Sequence, residues 1–69
     1  MRLSARNQIK GRIIDVRKGA TTSHVRVEIA PGQVITSSIT NEAVDELGLK
    51  VGMEAAIVIK ASDVMIAVD

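Results

Sequence analysis

From Ser23 to Ile29 polar and apolar residues alternate without a break, with Val25, Val27 and Ile29 on one side and His24, Arg26 and Glu28 on the other. A period of two fits a half-buried β-strand and not a helix. The stretch before it behaves similarly: between Asn7 and Arg17, Ile9, Gly11 and Ile13 share one face, and Lys10 and Arg12 the other. The pattern slips at Ile13-Ile14, with Val16 following Ile14, which predicts a bulge or strong bend. Lys18-Gly19-Ala20 is the turn between these two strands, with Gly19 available for a positive φ. Pro31-Gly32 is a second turn, leading into a third strand over Gln33 to Ile39 that is rich in Val, Ile and Thr.

The period then changes. Thr40 to Gly48 reads as a two-turn helix: Thr40 or Asn41 caps it, Glu42 and Asp45 sit in its first turn, and Gly48 ends it. Ala43, Val44 and Leu47 form its narrow apolar stripe. Met53 to Lys60 returns to strand, Ala61-Ser62-Asp63 turns the chain, and Val64 to Val68 reads as a last strand. Three strands, a short helix and two strands predict a mainly β protein, an OB-like five-stranded barrel with one short helix.

With 69 residues and neither a linker nor a repeat, residues 1–69 form one domain. At that size folding buries only about 60% of the surface of the unfolded chain, so partners commonly supplement the core. Ile57-Val58-Ile59 and Val64 to Val68 are apolar on both faces, whereas an antiparallel sheet in a monomer usually keeps one face wet. Burial against sister subunits, in a homo-oligomer, is the expectation.

Composition removes several classes of function. The chain has no Cys, so disulfides, thiolate zinc sites and thiol nucleophiles are excluded, and its single His cannot form a metal cluster alone. The formal charge is only +1, and Phe, Tyr and Trp are absent. A nucleic-acid module needs a basic footprint or aromatic platforms for stacking. Cofactor pockets, too, are usually lined with aromatics. An Arg near the start is followed by no apolar run, and the longest apolar stretches are too short to cross a bilayer. A cytoplasmic protein without nucleic-acid or membrane partners is therefore expected.

Two short stretches carry the chemistry. In Ser4-Ala5-Arg6 a hydroxyl and a guanidinium two residues apart share one side of an extended backbone, and the small Ala5 leaves its N–H available as a donor. Lys60-Ala61-Ser62 repeats the set in mirror order: cation, small residue, hydroxyl. Both suit a small oxyanion. The helix start is a third source of donors, through the Thr40 hydroxyl and the free N–H groups of the first turn. Thr21-Thr22-Ser23-His24, beside Arg17 and Lys18, is a second polar cluster at a hairpin tip. Asp15, Glu28, Asp45, Glu46 and Glu54 show neither metal-ligand nor acid–base spacing, His24 has no nucleophile nearby, and no phosphate-loop motif exists, so no enzyme is predicted. An OB-type nucleic-acid or protein-binding module without an oxyanion ligand is the alternative, and a purely structural oligomerising domain a third reading.

Ser4-Ala5-Arg6-Asn7-Gln8 followed by Ile9-Lys10-Gly11, Ile35-Thr36-Ser37-Ser38-Ile39 leading into the helix, and Val58-Ile59-Lys60-Ala61-Ser62-Asp63-Val64-Met65 together closely resemble the molbindins, the small Mop-domain proteins that bind molybdate and tungstate. The similarity runs over nearly the whole chain. It implies an OB-like barrel, subunits paired with strand exchange or close intermeshing, and a hexamer built as a trimer of such pairs. It also implies oxyanion sites at subunit interfaces, with molybdate or tungstate as ligand and no other cofactor. Ser4, Arg6, Lys60 and Ser62, with the N–H groups of Ala5 and Ala61, would contribute from one subunit. Thr40 and the amide near Ala43 would come from its neighbour. A second site type, near a threefold axis, would fall to Lys18, Thr22, Ser23 and His24. One copy of the domain with no DNA-binding or ATPase segment points to a free-standing ion buffer.

Overall fold

The structure, a computed structural model, describes residues 2–69. Its strands are β1 (Asn7–Lys18), β2 (Thr22–Ala30), β3 (Gln33–Thr40) and β4 (Glu54–Ile59), with one helix, α1 (Asn41–Leu47), between β3 and β4. All pairings are antiparallel, and the sheet order is β3-β2-β1-β4. The long β1 therefore lies in the interior of the sheet and connects its two ends.

Alternation sorts the side chains as expected. Ile13, Val25 and Val27 are buried on one face together with Val44 of α1, and Val16, Ile29, Ile39, Leu49, Ala55 and Ile57 pack around them. Ile13 pairs with Val27 and Asp15 with Arg26, so Ile14 is the bulged residue that the broken pattern predicts. The loop before β4 closes over this point: Ile13 N–H donates to the Met53 carbonyl (2.9 Å) and Gly52 N–H to the Ile13 carbonyl (2.8 Å). Gly11 faces the same layer, where a Cβ would stand 2.7 Å from the Glu28 carbonyl oxygen and from Val27 Cγ1. The strand pair can approach only because that atom is missing.

Thr40 caps α1, its hydroxyl accepting from Ala43 N–H at 3.0 Å. Gly48 ends the helix in the left-handed region at φ 63°. Its N–H donates to the Asp45 carbonyl and that of Leu49 to the Val44 carbonyl, a paired C-terminal closure that folds Leu49 back onto the core. Leu49 thereby takes the place expected for Leu47, which ends the helix 63% exposed. Gly19, expected at a positive φ, does not adopt one. It lies close against the strand instead, its N–H donating to the Thr22 carbonyl at 2.7 Å.

Within one chain the sheet is open and has four strands, so the mainly β architecture with one short helix is present and the expected fifth strand is not formed. Val64 to Val68 forms no strand: after a single 3-10 turn over Ala61–Asp63 the chain runs on without regular structure. Met65, Ile66 and Val68 are each more than four-fifths exposed. A strand exists through its ladder partners, and no strand of this chain pairs with the segment. Among the described residues no helix is long and apolar enough to cross a membrane.

Candidate functional site

β1 and β4 pair in a register whose last step is Asn7 opposite Ile59, and Asn7 Nδ2 donates to the Ile59 carbonyl at 3.2 Å. Continuing that register by one residue sets Arg6 opposite Lys60 as the two chains part. Each segment alone is a strand end with a cation; together they make a corner with two. The turn after Lys60 is closed by main-chain bonds, from Asp63 N–H to the Lys60 carbonyl (2.9 Å) and from Val64 N–H to the Ala61 carbonyl (3.3 Å). Ser62 is held beside the corner without its hydroxyl being used to form the turn.

Ser4, Ala5, Arg6, Lys60, Ala61 and Ser62 line one open cleft. Stretches more than fifty residues apart in sequence are thus brought together as read from the chain. Two further residues belong to the cleft that sequence reasoning placed elsewhere. Val58, two residues before Lys60 on the same strand face, supplies an apolar wall. Asp63, read only as part of the turn, also lines the cleft, while its N–H closes the turn. The alternation already put Val58 on that face; nothing local marks Asp63.

The electrostatics favour an anion. The ion pairs among the described residues are Arg17–Asp15 at 3.7 Å and Lys18–Asp45 at 2.5 Å. Neither Arg6 nor Lys60 takes part in one, so both charges face the cleft without a bonded carboxylate. Among the described residues no group of His, Cys, Asp and Glu side chains can hold a bare metal cation.

Thr40 and Ala43 lie elsewhere. Thr40 ends β3, opposite Thr22 at the start of β2, at the end of the sheet where β1 finishes. The cleft is where β1 begins. At about 3.3 Å per residue β1 spans most of the 35 Å length of the molecule. One chain cannot bring Thr40 to its own cleft. The Ala43 N–H is engaged by the Thr40 hydroxyl, which accepts that bond and keeps its own proton free to donate.

The hairpin cluster divides by strand face. Thr22 and His24 are exposed and, with Arg17, Lys18 and Gly19, line a second depression. Ser23 points the other way. It is fully buried, and its hydroxyl donates to Asn41 Oδ1. Lys18 is tied to Asp45 of α1.

Comparison with known proteins bears on the family and the fold. The TOBE domain model matches residues 3–66. Molybdenum-pterin-binding protein 1 of Clostridium pasteurianum is 52% identical over 66 residues, which is 96% of this chain and 97% of the relative. The solved structure of MopII from the same organism superposes with a TM-score of 0.89 at 48% identity, over 97% of this chain and 100% of that one. A structure of the cytoplasmic molybdate-binding protein ModG with molybdate bound is similar at a TM-score of 0.88 and 48% identity, over 94% of this chain and 46% of that one.

Proposed function

The chain belongs to the TOBE-domain family, among its molybdenum-binding Mop relatives, and from this premise we propose that it reversibly binds molybdate or tungstate at clefts between copies of itself. The observation that carries the reading is the corner where Ser4 and Arg6 meet Lys60 and Ser62. Molybdate at neutral pH is a tetrahedral dianion with no proton to donate. Hydroxyls, N–H groups and two cations outnumber the one carboxylate of the cleft, that of Asp63, and charge-assisted bonds to the dianion are the strong ones. Asp63 is an acceptor for the O–H of a protonated phosphate, so selection against phosphate rests on the size and closure of the complete site. Sulfate carries the same charge in a smaller volume and must be rejected by size.

The open shape of the cleft also favours a second copy: its lining comes from one side only. On this reading one chain supplies a wall and a neighbour the lid. The Thr40 hydroxyl, with its proton free, is the group we assign to that lid, together with the amide near Ala43. The exposed Val64 to Val68 segment finds its ladder partner on the sister subunit, which completes the barrel, and a hexamer made of three such pairs is the assembly we assign. The depression at Lys18, Thr22 and His24 is the proposed second oxyanion site, with buried Ser23 behind it in a supporting place. The role is storage and buffering of the ion in the cytoplasm, with the ion held by hydrogen bonds and charge and released unchanged.

A pterin-bound form of molybdenum is the second reading, favoured by the names of the relatives. A pterin ring needs a flat apolar or aromatic surface. The sequence contains no Phe, Tyr or Trp, and the apolar side chains of the cleft are Val58 and the small Ala5 and Ala61, so the free oxyanion fits better. Titration calorimetry with molybdate, tungstate, sulfate and phosphate tests the proposal. Arg6→Ala and Lys60→Ala should each weaken molybdate binding by roughly ten- to a hundredfold, the worth of one charged hydrogen bond, while the assembly keeps its mass. Unchanged affinity in both variants would refute the site.

A further inference from the structure

One side chain fastens the β1–β2 hairpin to the end of β3. Asn41 directly follows Thr40, and its main-chain N–H donates to the Thr21 carbonyl at 2.9 Å. Its side-chain Nδ2 donates to the Gly19 carbonyl at 3.0 Å and, more weakly, to that of Ala20 at 3.4 Å. Its Oδ1 accepts from the Ser23 hydroxyl. The donors and the acceptor of the amide are all engaged inside the protein, and its partner Ser23 is 0% exposed. Lys18 and Asp45 add a second tie between the same two segments.

The helix does not need this arrangement. Thr40 already caps it, so the Asn41 side chain is free of that duty and reaches sideways across two strands. What it holds is the hairpin from Gly19 to Ser23 against the residue that follows Thr40. The Thr40 hydroxyl, on the last rung of a ladder opposite Thr22, is otherwise oriented by its bond from Ala43 N–H. Ligand groups need supporting bonds behind them to stay within about 0.5 Å of a productive position.

We propose that Asn41, backed by Ser23, is a positioning residue that aims the Thr40 hydroxyl into the cleft of the neighbouring copy. The inference rests on the binding reading above and adds to it a residue that touches no ligand. Its action on molybdate passes entirely through Thr40.

A double-mutant cycle on the full-length assembled protein, read by calorimetry with molybdate, tests it. Asn41→Asp keeps the shape and the acceptor for Ser23 but sets a carboxylate oxygen against the Gly19 and Ala20 carbonyls. Ser23→Ala removes one bond and changes no charge, and serves if the first variant does not fold. Thr40→Val should cost about tenfold in the unaltered protein, the worth of one hydrogen bond to a charged group. Asn41→Asp and Ser23→Ala should each lower affinity severalfold, and in either background Thr40→Val should then cost less than twofold more. Ser62→Ala, in the cleft itself, should cost the same factor in every background. A full tenfold loss on Thr40→Val in both backgrounds would overturn the inference, since a residue that merely stabilises the fold would leave that factor untouched. If Arg6→Ala still weakens binding by the factor given above in that case, only the role of Asn41 falls. A protein that binds no molybdate even unaltered would overturn both readings.

Discussion

Gly11 lies on β1 against Val27 and Glu28 of β2, and its requirement is steric. An added Cβ would meet a main-chain oxygen, that of Glu28, at 2.7 Å. A carbonyl held in a ladder cannot yield as a side-chain tip can, so Gly11→Ala should lower stability by about 1–3 kcal/mol, the usual cost of overpacking. Thermal and denaturant unfolding would measure it; an unchanged midpoint would show that the sheet relaxes freely. At this scale much of the site was legible. Ser4, Arg6, Lys60 and Ser62 could be read as donors from residue type, but the strand alternation expected for Ser4 and Arg6 does not apply, because both lie in bends before β1 begins at Asn7, and Ser62 lies in the 3-10 turn after β4. Ser23 shows what grouping by neighbourhood misses. It stands between Thr22 and His24 in sequence, yet it shares the parity of Val25 and Val27, and that parity placed it in the core. Asp63 was not legible, because a short turn closed by main-chain bonds leaves the direction of its side chains open.

Among the elements, those with self-contained signals formed as read. The bulge at Ile14, the Pro31-Gly32 turn with Gly32 at φ 76°, the Thr40 cap and the Gly48 terminus each rest on local chemistry. The last strand did not form, for the opposite reason. Val64 to Val68 has the composition of a strand, but composition cannot supply the partner that a ladder requires. Met65 and Ile66 make no contribution to the core and are almost wholly exposed. The double variant Met65→Asp/Ile66→Asp should therefore leave the four-stranded sheet and its far-ultraviolet signal intact. Sedimentation should show a smaller species, because buried charges without partners are costly at an interface. A variant of unchanged mass would mean that this segment is not part of the assembly contact.

For the whole molecule, the central point is the separation of donors. The two cation–hydroxyl corners meet at one end of the sheet, and Thr40 stands at the other, nearly the length of β1 away. The cleft of one chain is open, and the apolar segment from Val64 to Val68 is uncovered. On the proposed reading a second copy meets both deficits, which joins the account of the site to that of the assembly. That logic was half visible beforehand: the two-faced apolar strands pointed to partners, but only the folded sheet reveals that Thr40 cannot serve its own cleft. Crystals grown with tungstate test this most directly, since the heavy atom locates itself by anomalous scattering. Density should lie within hydrogen-bonding reach of Arg6 and Lys60 of one copy and of Thr40 of another. Tungsten bound away from Arg6 and Lys60, or enclosed by a single chain, would contradict it.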